Sequence, residues 1–228
     1  MEIKQANLGN CGEAEDCVVI IDVCRAFTSA AYAFAGGAKQ IYLAGSVPNA
    51  LALKRNHPDW LTMGEVDGLP VEHFDLWNSP SQAAQKDLSE KTLILRTTAG
   101  TQGMLRCKHA KHLLAGSFVI ARATVKLIER LAPAQVTFVI TGIRDGIGGE
   151  EDIACAEYMT DLLQQGSVSI NKHIQKARRW DPARISRNQA VIELLYQDLE
   201  CCLQVDRFDF ALQVSHLGRY LVMEQVFL

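Results

Sequence analysis

The chain lacks several features that would place it quickly. Its 228 residues hold no CxxC pair, and the cysteines are odd in number at seven. A disulfide framework or structural zinc site is therefore not expected, because each needs thiols paired or clustered at short spacing. Cys11, Cys17, Cys24, Cys107, Cys155, Cys201 and Cys202 read instead as reduced, mostly core-filling residues of a cytoplasmic protein. There is no basic block, and the formal charge is -3. A nucleic-acid partner is not expected either, since binding phosphates takes concentrated Lys and Arg. No run of about 18 to 20 apolar residues is free of charge, so no membrane span is expected. The opening "MEIKQANLGNCGEAEDC" is polar and acidic, unlike a secretory leader. There is no GxxxxGK[ST], and "GIRDGIGG" does not match GxGxxG, so a P-loop is absent and a dinucleotide fingerprint is not supported.

What is present is an alternation of strand-like and helix-like runs from residue 17 to about 165. "CVVIIDV" is continuous and rich in β-branched residues, the mark of a strand buried on both faces. Small residues follow up to Gly36-Gly37, as in a helix packed close to a sheet. "QIYLAG", "WLTMGE", "KTLILRTT", "KHLLAGSF" and "QVTFVITG" read as further strands, with helices such as "VPNALALKRNH" between them. "EEDIACAEYMTDLLQQ" is an amphipathic helix whose three leading acids complement the helix dipole. Repeated β–α units predict a three-layer α/β/α fold with a mainly parallel sheet. Residues 1–165 form the predicted α/β core carrying the site. Residues 166–228 change pattern and read as two helices and one or two strands, a C-terminal extension, subdomain or edge addition on the same core.

In open α/β sheets, ligands bind beyond the carboxyl ends of the strands. The residues expected there are Asp22 and Arg25 after the first strand and Glu65 after "WLTMG". "FDLWNSP" adds Asp75, Asn78 and Ser79. "RTTAGTQG" adds Thr97, Thr98, Gly100 and Thr101, and "TGIRDGIGGEED" adds Glu151 and Asp152. Taken singly, each is compatible with a cap or turn; the signal is their convergence at one sheet edge. Carboxylates beside a Gly/Thr-rich turn suit an anionic ligand held through Mg²⁺. The Cys201 to Arg207 spacing matches the C-x5-R of cysteine phosphatases, but it lacks the glycines that aim N–H groups at phosphate. That segment reads as a strand.

Taken in order, "VVIIDVCRAFTSAAYAFAGGA", "GEVDG", "FDLWNSP", "TTAGT", "GSF", "EEDIACA" and "DLECCLQVDRFD" resemble the 2-phosphosulfolactate phosphatase family. The likeness spans residues 18 to about 210. It implies a magnesium-dependent phosphatase of a small sulfonated phosphate ester in coenzyme M biosynthesis. On that reading Asp22 and Arg25 are catalytic. Asn78, Ser79, Thr97, Thr98, Gly100 and Thr101 hold the phosphate, and Asp22, Glu65, Glu151 and Asp152 hold Mg²⁺. A homodimer is compatible with it. The family usually shows arginine where Val66 stands, asparagine at Ala99 and at Ile120, and glycine at Trp77. These departures support an alternative: a non-catalytic or repurposed member that binds a small anionic metabolite.

Overall fold

The computed structural model describes residues 1–143 and 148–228. Its strands are β1 (Glu2–Asn7), β2 (Cys17–Ile21), β3 (Gln40–Leu43), β4 (Leu61–Gly64), β5 (Leu76–Trp77), β6 (Thr92–Arg96), β7 (His112–Gly116), β8 (Gln135–Ile140), β9 (Phe210–Leu217) and β10 (Tyr220–Phe227). Its helices are α1 (Ala26–Ala35), α2 (Val47–Asn56), α3 (Pro80–Ala83), α4 (Gly100–Arg106), α5 (Ala121–Leu131), α6 (Glu150–Gln165), α7 (Asn171–Ala177) and α8 (Gln189–Cys202).

β2 is buried along its whole length, as its unbroken apolar run predicts. Its side chains alternate between two cores. Val18 and Ile20 join Phe27, Ala30 and Ala31 of α1 and Met104 of α4 on one face. Cys17, Val19 and Ile21 join Leu127 of α5 and Cys155 and Met159 of α6 on the other. Each large side chain fully buried this way contributes roughly 1.5–3 kcal/mol. The result is an α/β/α sandwich around one large, curled, mainly parallel sheet. None of the seven cysteines is in a disulfide. No helix among the described residues is long and apolar enough to cross a membrane.

The strand order is β1-β8-β2-β7-β9-β10-β3-β6-β4-β5. The first four strands are mutually parallel, as are the last four. The hairpin β9–β10 joins the two sets by antiparallel pairing to β7 and β3. Of the placements open for the tail, an extension, a subdomain or an edge addition, the edge does not hold for its hairpin, which lies at the sheet's centre. Its paired stretch explains why. Phe210, Ala211, Leu212 and Val214, with Leu221, Val222 and Met223, are buried, and an edge would leave much of that surface wet.

The strand expected at Cys201 to Arg207 is also overturned, because Cys201 and Cys202 finish α8. Asn188 caps that helix by accepting the Ala190 and Val191 N–H groups, a favoured N-cap arrangement. Leu195, Asp198, Leu199 and Cys202, at helical spacing, form its buried side.

Because the hairpin is antiparallel to both neighbours, β2 and β6 would point opposite ways in a flat sheet. Five pairing steps separate them. At roughly 20–25° per step, the sheet turns by roughly 100–125° between them. That twist is how carboxyl ends from both halves come to line one cavity.

Candidate active site

The cavity has a volume of about 300 Å³. Asp22, Arg25, Glu65, Asn78, Thr98, Glu151 and Asp152 line it, all of them expected from the sequence. Cys24, Asp67, Gly68, Thr141 and Gly142 line it as well, with Trp180, Asp181, Arg184 and Ile185 from the segment between α7 and α8. Part of the "TGIRDGIGGEED" loop, residues 144–147, lies outside the described residues.

Asp22 follows β2 directly and is only 7% exposed. Its Oδ1 accepts the Ala26 N–H at 2.9 Å, capping α1. Burial pushes its carboxyl up to about 6, helped by the charge of Glu65 and opposed by the Ala26 and Gly100 N–H groups and by Arg25. Gly100 is required here: a Cβ would lie 2.8 Å from Asp22 Oδ2 and 2.9 Å from the Ala26 Cβ.

Glu65 leaves the end of β4. It accepts the Thr98 N–H, the Gly68 N–H and the Thr98 hydroxyl. It thereby ties the end of β6 to a tight turn, Val66–Leu69, in which Asp67 and Gly68 have φ of 50° and 82°. Val66 and Leu69 exchange N–H···O bonds at 3.0 Å. Positive φ at both central residues is the type I′ geometry that Asp-Gly favours.

Glu151 and Asp152 open α6 and are buried. Asp152 accepts the Val23 N–H at 2.8 Å, the Gly142 N–H at 2.8 Å and the Thr141 hydroxyl at 3.2 Å. Burial, then the charges of Glu151 and Asp22, hold its carboxyl well above the usual range. Glu151 is pushed up to about 7, by burial first and then by Asp22 and Glu150, against the pull of its own N–H and Arg184. Its Oε2 is buried with no hydrogen-bond partner.

These shifts have a consequence in the absence of metal. Asp22 and Glu151 start from 3.8 and 4.5, so both bind their protons more tightly folded than unfolded. Their stabilising contribution is complete below about pH 4 and is lost as pH rises through about 6 and 7. In chelator, the melting temperature of Glu151→Gln should fall less between pH 5 and pH 8 than that of the parent. Equal slopes would show that Glu151 does not titrate in this window.

Arg25 is only 3% exposed. It donates to Asp198 Oδ2 at 2.8 Å and to the Gly68 carbonyl at 2.7 Å, with its guanidinium 4.4 Å from the Trp77 ring centroid. Asp198, on α8, also accepts the hydroxyls of Ser79 and Ser81 at 2.6 Å each and the Ser81 N–H at 3.1 Å. The sequence reading missed Asp198. A signal did exist, since an acid on the apolar face of an amphipathic helix must have partners.

Other expected residues take different places. Ser79 turns to Asp198 and does not line the cavity. Thr97 and Thr101 bond reciprocally, N–H to hydroxyl at 3.0 Å in both directions, and fasten the start of α4. Asp75 accepts the N–H and hydroxyl of Thr62 and pairs with Lys54, which pins β4 away from the cavity. Thr98 faces the cavity, but its hydroxyl is engaged by Glu65 and the Asp67 N–H. Asn78 is the member of the phosphate set whose side-chain Oδ1 stays buried and unpartnered.

Cys24 lines the cavity but is a poor nucleophile. Burial, then Cys202 and the carboxylates of Glu151 and Asp152, hold its thiol well above the usual value, and the reactive form is the thiolate. Cys24→Ala should keep at least about half the turnover, with a modest stability loss from the smaller side chain. Complete inactivation of a folded Cys24→Ala, matched by thiol-blocking reagents, would require a cysteine mechanism instead.

Among the described residues, no three His, Cys, Asp or Glu side chains are grouped as a ready metal cage. Mg²⁺ does not need one: it keeps several waters and takes one or two carboxylates with substrate oxygens. The donor set fits such an ion. It is made of hard oxygen, its carboxylates raise one another's pKa, and Glu151 Oε2 is an orphaned buried acceptor.

Similarity to known proteins gives the family. The model of the 2-phosphosulpholactate phosphatase family matches residues 4–216. A Bacillus subtilis protein is 33% identical over 92% of both chains. One from Carboxydothermus hydrogenoformans is 34% identical over 86% of this chain and 85% of its own. One from Caldicellulosiruptor saccharolyticus is 31% identical over 91% of both. Each of the three is named "Probable 2-phosphosulfolactate phosphatase". A match over nearly the whole chain, in a fold that gathers the shared segments around one carboxylate-lined cavity, places this protein in the 2-phosphosulpholactate phosphatase family.

Proposed function

We propose that the chain hydrolyses the phosphate ester of a small acid, 2-phosphosulfolactate or a close analogue, with Mg²⁺. The observation that carries this reading is the convergence of Asp22, Glu65, Glu151 and Asp152 on one cavity, with Glu151 Oε2 buried and unpartnered. The least committed oxygens belong to Asp22 and Glu151, and one or both would hold the ion, with water and substrate oxygens completing its shell. Glu65 and Asp152, engaged by N–H and hydroxyl donors, would supply charge around it. Mg²⁺ bound there would neutralise charge on the phosphoryl oxygens.

The chain's own groups orient the ester. Asn78 offers its amide to a phosphoryl oxygen. Arg25 has committed two of its five N–H donors, and the rest remain for phosphate. Water attacks phosphorus, the bond from phosphorus to the ester oxygen breaks, and that oxygen leaves with a proton. A carboxyl raised by burial suits this proton traffic only while it stays off the ion, so of Asp22 and Glu151, raised to about 6 and about 7 without metal, one would serve the proton and the other the ion.

The test is phosphate release from a panel of small phosphate esters, 2-phosphosulfolactate included, with and without Mg²⁺. No release from any ester by folded, metal-loaded protein would overturn the proposal. It would favour an anion-binding role, seen as a rise in melting temperature with phosphate or a small carboxylate and no turnover.

A further inference from the structure

The cavity is rich in negative charge. Among the described residues, seven carboxylate residues line it, against two guanidinium groups, Arg25 and Arg184. Arg25 is buried and its charge is matched by Asp198. Arg184 is different. It ends a short 3-10 turn, Pro182–Arg184, begun by Asp181 capping the Ala183 N–H at 2.9 Å. It is exposed; no hydrogen bond or salt bridge among the described residues involves its side chain, and its charge acts on Glu151 through space. The turn is firmly seated, because Ile185 packs against Gly68, where a Cβ would come within 2.7 Å of Ile185 Cγ2. The segment therefore holds, at the mouth of an acidic cavity, a cation with no hydrogen-bonded partner among the described residues, whose charge is felt by Glu151.

On the reading proposed above, the phosphate end of the ester lies deep, among the buried carboxylates and Asn78. The substrate's remaining acid groups, in 2-phosphosulfolactate a carboxylate and a sulfonate, must then point outward, where they need a positive partner. We infer that Arg184 binds the substrate's second acid group, the carboxylate or sulfonate remote from the phosphate, and so selects esters of anionic small molecules over simple phosphate esters. This residue lies in the segment between α7 and α8, outside the strand-end motifs. The bidentate fork of a guanidinium suits a planar carboxylate or a sulfonate, and a charge-assisted pair of this kind is worth tenfold to a hundredfold in binding.

The experiment compares the parent, Arg184→Gln and Arg184→Lys in steady-state kinetics on 2-phosphosulfolactate and on p-nitrophenyl phosphate, which has no second acid. The preference for the doubly acidic ester, as a ratio of kcat/KM values, should fall at least tenfold in Arg184→Gln. The fall should come mainly from KM, with partial recovery in Arg184→Lys. An unchanged ratio, or equal losses on both esters, overturns the inference and places Arg184 on the phosphate or nowhere in the site. Calorimetric binding of sulfolactate, which carries both acids and no phosphate, decides the point independently of turnover. Binding at least tenfold tighter by the parent than by Arg184→Gln supports the assignment. Equal binding, or none by the parent, overturns it. Failure of all ester hydrolysis would overturn the phosphatase reading alone, because the sulfolactate titration still tests Arg184.

Discussion

Asp22→Asn is expected to lower turnover by about a hundredfold or more, a barrier increase of about 2.7 kcal/mol. The substitution keeps the shape and the acceptor for the Ala26 N–H, so α1 stays capped. It removes one negative charge from a set of carboxyls that already push each other upward. Metal-free stability should therefore hold or rise, because like-charge repulsion is relieved. The gain is limited, since an amide nitrogen facing the Gly100 N–H gives up an acceptor there. Two measurements on this variant are enough: turnover on the best ester of the panel, and the melting temperature with and without Mg²⁺. Near-normal turnover together with a normal Mg²⁺-dependent shift would remove Asp22 from the site and leave it a turn residue, for which a change of less than about 1 kcal/mol is expected.

Asp198→Ala is expected to cost about 3–5 kcal/mol of stability, the range for breaking a buried ion pair from one side. For a domain whose total stability is about 5–15 kcal/mol, that is a large fraction. The reason lies in what remains. Arg25 would keep its charge in a site only 3% exposed, and Ser79, Ser81 and the Ser81 N–H would lose a shared acceptor. The link between α8, α3 and the β2–α1 turn would go with them. Removing Arg25 as well should give back part of the loss, because no unpaired charge is then left behind, so the two substitutions will not be additive. Urea unfolding of both single variants and the double variant measures this directly. A cost below about 1 kcal/mol for Asp198→Ala, or strict additivity with Arg25→Ala, would show that the pair is not the clamp described here.

Asp22, Glu65, Glu151 and Asp152 were legible because each stands at the end of a strand or the start of a helix, and those elements declare themselves over a few residues. β2 could be read from seven consecutive positions, and α6 from its leading acids and its apolar stripe. Near-neighbour pattern is enough there, since the period of a strand or helix is local and a strand end points where the strand points. The roles of Ser79, Thr97 and Thr101 could not be read this way. A hydroxyl at a strand end can face a ligand, cap a helix or meet a distant acid, and the choice depends on what packs opposite.

The tail was the least legible part. Its helix and strand patterns are visible, but nothing local says that β9 and β10 lie at the sheet's centre, since strand order is decided by which apolar surfaces find cover. Asp198 and Arg25 stand 173 positions apart along the chain. The sequence by itself determined the doubly buried strand, the β–α alternation and the acids gathered at strand ends, because these follow from periodicity and from the cost of burying charge. Only the tertiary structure decided that the central hairpin turns the two half-sheets toward each other, that Arg25 is clamped by Asp198, and that Arg184 stands at the cavity mouth. Those arrangements rest on twist summed over five strand pairings and on contacts between segments that no local pattern connects.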